Sequence, residues 1–317
     1  ASYEYFLMIT VLCYGFKLLK LSGFSRSIFK YKVINVMRGY VVLPTMFGKH
    51  ASHLEINWLL TGLLPTKLES LMVLGFVLLN LLSLLIGFEI DPYNILFPSK
   101  LVQYTRMLGD RSGIVAVTQV PLIILFGTRN NIVEYFTGFK YTTLIVLHKW
   151  IGRIMILEVF IHSLAYTLYA TLLNSYKSSS RDAYWVFGVI ATSSCVGLLL
   201  LSIGIIRKCY YETFLILHIV LVVVFFYTYF KHVEQFGFGS SIFLPVALWV
   251  IERVIRILRI SKFGILKANL QLIDDDIIRV QIKLPPAAMR NKRFEPGQYV
   301  FLYFVHSHIF WQSHPFT

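Results

Sequence analysis

The sequence predicts an all-α polytopic membrane bundle followed by the opening of a β-rich soluble domain. Three observations carry that expectation. Of 317 residues, 56% are hydrophobic and 15% are charged, a balance that suits lipid rather than a single soluble core. The apolar residues gather in about seven runs near the ~20 residues that a helix needs to cross a ~30 Å hydrocarbon layer. After Lys262 apolar residues recur at every second position, the period of a strand.

The apolar runs fall at 3–20, 67–90, 110–128, 141–172, 183–206, 209–231 and 241–260. The first carries Lys17 near its end. The third is short and contains Gln119 and Pro121, so it needs cover from its neighbours. The net charge of +14 would suggest nucleic acid in a soluble chain. Here much of the excess borders the apolar runs, where retention of Lys and Arg in the cytosol explains it. Arg26, Lys30, Lys32, Arg38 and Lys49 lie between the first two runs, and Arg207 and Lys208 follow the fifth. Arg253, Arg256, Arg259 and Lys262 end the seventh, whereas 233–240 has neither Lys nor Arg. With seven crossings the N-terminus is expected outside and the C-terminus in the cytosol. Cys13, Cys195 and Cys209 are unclustered and give neither a disulfide framework nor a metal motif.

Beyond Lys262, Leu270 and Leu272 lead to Asp274-Asp275-Asp276, and Ile278, Val280, Ile282 and Leu284 follow. That pattern predicts a β-hairpin. Pro285-Pro286 closes it, and a second apolar run covers 300–305. The chain is expected to be a piece of something longer, cut within this β domain.

Two histidine pairs organise the helical part. His148 and His162 are 14 residues apart in the fourth run, and His218 and His232 are 14 apart in and beside the sixth. At ~100° and ~1.5 Å per residue, 14 steps bring a helix back to within ~40° of its starting face, ~21 Å along the axis. Each helix thus offers two imidazoles on one stripe. The charge pattern sends both helices outward, so His148 is expected to face His218 on the inner side and His162 to face His232 on the outer side. Each pair can grip one iron axially, giving two stacked haems. An isolated intramembrane histidine can be a packing residue, but two helices repeating one spacing by chance is a rarer event. Two imidazoles per iron leave no open position, which favours electron transfer over oxygen binding at the metal. Without Cys-x-x-Cys-His the haems are expected to be b-type.

Seven steps from each inner ligand lie Met155 and Phe225, candidates to fill the space between the haems and relay electrons; ordinary packing is the plain alternative. Arg111 and Arg129, flanking the third run, are candidate partners of the haem propionates, with Lys149 and Arg153 as further inner cations. Each could instead be a snorkelling anchor. Glu158 lies deep in the fourth run and needs a partner there. The period-three run from Arg253 to Lys262 has the spacing of a voltage sensor, but it ends its span, so anchoring or a flavin-phosphate contact is the expected role.

The motifs LHKWIGR…IH, YETFLILH…H, WVIERVIRILR, RFEPGQYVFL and WQSHPFT, in that order, resemble the ferric reductase/NADPH oxidase superfamily, above all the fungal (yeast-type) ferric-chelate reductases. The resemblance implies three parts. Residues 1–66 would be an extra N-terminal transmembrane helix and a basic cytosolic loop. Residues 67–262 would be a six-helix di-haem domain with His148, His162, His218 and His232 as its metal ligands. Residues 263–317 would be the truncated start of a cytosolic β-barrel FAD-binding domain, with the NADPH domain missing. The family's flavin motif falls on His314, Pro315, Phe316 and Thr317, where backbone and the Thr hydroxyl would line the isoalloxazine and ribityl chain. The implied activity is electron transfer from cytosolic NADPH through FAD and two haem b groups to an extracellular ferric or cupric chelate, at the plasma membrane. The alternatives are a superoxide-generating oxidase with O₂ as acceptor and a non-enzymatic channel or voltage sensor. Asp91, Asp110, Asp182 and Glu234 are candidate acids for drawing a cation to the outer face.

Overall fold

The computed structural model describes residues 2–21, 32–46, 53–57, 60–63, 65–274, 277–283, 300–305 and 313–316. Among them each apolar run is a helix: α1 Ser2–Leu21, α2 Lys67–Leu85, α3 Lys100–Gly127, α4 Tyr141–Leu172, α5 Ala183–Leu201, α6 Tyr211–Val233 and α7 Phe243–Phe263. Four of them, α2, α3, α5 and α6, are long and apolar enough to cross a membrane by length and composition alone. α4 matches its expected limits to the residue, while the short helix Gly204–Cys209 takes up the end of the fifth run.

The largest difference is α3, expected from 110 and beginning at Lys100. Hydropathy loses its first ten residues because Lys100, Gln103, Thr105 and Arg106 interrupt the apolar ones, yet local bonds hold them helical. The Ser99 hydroxyl accepts from the Val102 N–H at 3.3 Å, an N-cap, and Arg106 Nε donates to Asp110 at 2.9 Å across one turn. Arg111 therefore lies within the helix, not at its start. α2 begins with a reciprocal cap: the Thr66 hydroxyl accepts from Glu69 N–H and the Glu69 carboxylate accepts from Thr66 N–H. The other oxygen of Glu69 accepts from the Thr143 hydroxyl at 2.6 Å, tying the start of α2 to the start of α4.

Two apolar clusters hold the bundle. One joins α1 to α4 through Phe6, Phe76, Leu122, Phe126, Leu144, Leu147 and Ile151. The Tyr5 hydroxyl adds a bond to the Met72 carbonyl at 2.9 Å. The second joins α3 to α6 through Ala116, Val120, Met155, Ala191, Cys195, Phe225 and Tyr229. In contrast, Leu157, Phe160, Leu164 and Leu168 of α4 are exposed, as a lipid-facing stripe requires. α3 packs along α4, α4 along α5 and α5 along α6.

Strands β1 His53–Asn57 and β2 Leu60–Leu63 form a small antiparallel pair before α2. The residues from 251 onward form a separate compact unit. In it β3 Ala268–Asp274 pairs antiparallel with β4 Ile277–Ile282, setting Leu270 opposite Val280 and Leu272 opposite Ile278. That is the expected hairpin. β5 Val300–Tyr303 pairs with β6 Ser313–Phe316, so the backbone of His314 and Pro315 lies opposite Leu302 and Phe301. Thr317, the run 293–299, Arg26, Lys30 and Lys49 lie outside the described residues.

Candidate functional site

α4 and α6 run in the same direction and meet through their histidines. The ring centres of His148 and His218 are 6.4 Å apart, and those of His162 and His232 are 6.0 Å apart. Two metal–imidazole bonds of about 2.0 Å, plus about 1.1 Å from each nitrogen to its ring centre, put a trans pair about 6 Å apart. Both pairs meet that requirement. Among the described residues no group of three or more His, Cys, Asp or Glu could hold a bare metal ion. Two protein ligands on opposite sides suit a metal whose remaining positions are filled by a prosthetic ring, as in haem. α4 and α6 make no extended backbone contact with each other.

Neighbouring helices fix the imidazoles. His148 Nδ1 donates to the Ile123 carbonyl at 2.9 Å and His162 Nδ1 to the Gly109 carbonyl at 2.8 Å, both on α3. His232 Nδ1 donates to the Tyr184 carbonyl of α5 at 2.8 Å. A carbonyl can only accept, so Nδ1 carries the proton and Nε2 is the ligating nitrogen. Such bonds also raise the basicity of the ligand and hold its orientation.

Each carbonyl is followed four residues later by a glycine: Gly113 after Gly109, Gly127 after Ile123 and Gly188 after Tyr184. A Cβ at Gly113 would stand 2.6 Å from His162 Nδ1, at Gly127 3.0 Å from His148 Nδ1, and at Gly188 2.8 Å from His232 Nδ1. Only a residue without a side chain lets the imidazole reach the carbonyl. The sequence reading missed these seats, although their signal is present: Gly113 and Gly127 repeat the 14-residue spacing of His162 and His148 in the opposite direction.

The site's other expected residues divide. Met155 and Phe225 are both buried in the second apolar cluster, with the Phe225 ring stacked on Tyr229 at 5.8 Å. Glu158 is 1% exposed and accepts from Gln119 Nε2, which also donates to Asn80 Oδ1 at 3.0 Å. The partner that Glu158 required is thus Gln119 of α3. Arg111 donates to the carbonyls of Ile86 and Gly87 and lies 4.1 Å over the Phe88 ring, clasping the end of α2. Arg129 follows the Thr128 cap of α3. Asp110 is engaged by Arg106 and the Tyr166 hydroxyl, and Glu234 by Lys231 at 2.8 Å. Glu252 binds Arg256 at 2.6 Å and lies 3.6 Å from Arg253.

Comparison with known proteins gives the site its family. Residues 112–229 match the family model described as ferric reductase like transmembrane component, a segment holding three of the four histidines and bordering the fourth. Residues 262–317 match an FAD-binding domain model. The chain is 43% identical over 313 residues to ferric reductase transmembrane component 3 of Saccharomyces cerevisiae, covering 99% of this chain and 44% of that protein. The chain belongs to the ferric reductase family. Ferric/cupric reductase transmembrane component 2 of the same yeast is also 43% identical, with 99% of this chain and 44% of the relative covered. Ferric/cupric reductase transmembrane component 1 of Candida albicans is 31% identical over 290 residues, covering 90% of this chain and 37% of that protein. The chain spans less than half the length of these family members.

Proposed function

We propose that this chain is the membrane-spanning, electron-carrying part of a ferric-chelate reductase, passing electrons from cytosolic NADPH to a ferric or cupric chelate outside. The carrying observation is the pair of level histidine couples, 6.4 and 6.0 Å between ring centres, seated by carbonyls of the flanking helices. Relatives named as ferric and cupric reductases support the choice of acceptor. When bound, haem would supply one-electron iron chemistry and FAD would supply the link between two-electron and one-electron chemistry.

The protein's residues position and insulate. His148 and His218 would hold the group on the cytosolic side, and His162 and His232 the group on the outer side. Gly109, Ile123 and Tyr184 fix three imidazoles by their carbonyls. Met155 and Phe225, buried between the two levels, exclude water from the path. Lys149, Arg153 and Arg129 offer positive charge to the propionates of the cytosolic-side group, and Arg111 is the corresponding cation of the outer one. The β-rich segment 263–317 begins the flavin domain, with His314, Pro315, Phe316 and Thr317 as its flavin-binding motif. With seven crossings the C-terminus would lie in the cytosol, and the plasma membrane would be the site of action. No protein acid or base is required.

The test uses purified full-length protein. Two low-spin haems per chain and NADPH oxidation driven by ferric chelate, unaffected by superoxide dismutase, are expected. A colourless protein, or chelate reduction abolished by the dismutase, would defeat the reading; the second result would make O₂ the acceptor.

A further inference from the structure

Three of the four histidines have a seat made of a carbonyl and a glycine four residues on. The fourth, His218, does not: its Nδ1 is buried and has no hydrogen-bond partner among the described residues. Its seat can be located by register. α5 and α6 are antiparallel, with Gly188 against His232 and Gly197 against Leu221. Moving 14 residues from His232 to His218 moves 14 the other way on α5, from Tyr184 to Leu198 and from Gly188 to Ser202. A serine thus stands where the pattern calls for glycine.

The bonds at Leu198 differ from those at Tyr184. A carbonyl has two lone pairs. At Leu198 one is taken by the Ser202 backbone N–H at 3.2 Å and the other by the Ser202 hydroxyl at 2.7 Å. At Tyr184 the second lone pair serves His232 instead. The serine adds a Cβ where the other seats have none, and its hydroxyl holds the Leu198 carbonyl at 2.7 Å, closer than the 3.2 Å at which the Ser112 hydroxyl shares the Gly109 carbonyl with His162.

We infer that Ser202 is a positioning residue that leaves His218 the one unsupported ligand, and so raises the reduction potential of the haem held by His148 and His218. This rests on the haem reading above. An imidazole whose Nδ1–H bonds a carbonyl is a stronger donor and favours ferric iron. His218 lacks that bond, so its haem accepts an electron more readily than a fully seated one. That haem is the first to receive electrons from the cytosolic side, where ready capture is useful.

The test is a spectroelectrochemical titration of full-length protein carrying Ser202→Gly or Ser202→Thr. Ser202→Gly frees the carbonyl and removes the Cβ, so one haem's midpoint shifts to lower potential while the other stays. Ser202→Thr keeps the hydroxyl and leaves both midpoints in place. An unmoved pair in Ser202→Gly, or equal movement of both haems, would overturn the inference. Should Ser202→Gly not accumulate, carbon monoxide added to the dithionite-reduced, unsubstituted protein gives a second measure. It is expected to displace His218 and form a complex at one haem before the other; equal reaction at both haems, or none, would overturn the inference. The haem content of the starting protein is read first, so a missing haem refutes the site and an unshifted midpoint refutes only the role of Ser202.

Discussion

Replacing Gly113 with alanine tests the site at its tightest point. The new Cβ would stand 2.6 Å from His162 Nδ1 and 2.9 Å from its Cε1. Carbon and nitrogen atoms rest at about 3.5 Å or more, so the ring has to retreat by roughly 1 Å. The bond from Nδ1 to the Gly109 carbonyl, now 2.8 Å, then stretches past hydrogen-bonding range. Its loss costs about 1 kcal/mol. The larger effect falls on the opposite nitrogen, because a shift of roughly 1 Å is about half the length of a metal–imidazole bond. Loss of second-shell support alone lowers metal affinity about 10–100-fold, and displacement of the ligand adds to that. The expected result is a protein with one haem in place of two, read as a pyridine haemochrome ratio per chain. Gly188→Ala, at 2.8 Å, and Gly127→Ala, at 3.0 Å, should follow in decreasing severity. Gly152 has nothing within 4 Å of a Cβ, so Gly152→Ala is the control. It should keep both haems and gain about 0.5–1 kcal/mol of helix stability. Full haem content with unshifted spectra in Gly113→Ala would refute the reasoning.

Other outcomes follow from the same geometry. His162→Ala and His232→Ala should remove the same haem, with identical difference spectra, and His148→Ala and His218→Ala should remove the other; four distinct spectra would contradict the pairing. Phe225→Ala should slow electron transfer between the haems, measured after flash reduction, and destabilise the bundle by about 3–5 kcal/mol. An unchanged transfer rate would leave Phe225 as packing alone. Glu158→Leu should remove the Gln119 bond to Glu158, leaving Nε2 only Asn80 and the more distant Val115 carbonyl, and cost about 1 kcal/mol in detergent melting, while Glu158→Gln keeps an acceptor and loses less. Equal stability of the two variants would argue against the Gln119 bond.

The histidine spacing made the site legible because a helix converts residue number directly into face and height. The same arithmetic was available on α3 at Gly113 and Gly127, but glycine in an apolar run reads as a weak helix position until its opposite number is known. The polar start of α3 was hidden for another reason. Its stability comes from the Ser99 cap and the Arg106–Asp110 pair, which hydropathy counts against a helix. Glu158 announced that it needed a partner, yet Gln119 is 39 residues away on another helix, and no local pattern names it. Arg111 carried the charge of a propionate partner, whereas its bonds to Ile86 and Gly87 depend on where α2 ends. The β-hairpin was plain because alternation and a run of three aspartates are both local signals.

α3 supplies carbonyls to ligands at two heights on α4. A single inserted residue between positions 113 and 127 would turn one glycine by ~100° against the other and advance it by ~1.5 Å. One imidazole would then meet a side chain instead of a gap. Individual lipid-facing side chains of this stretch can change, but its residue count is locked to that of His148 to His162, so any length change in one helix demands the same change in its neighbour.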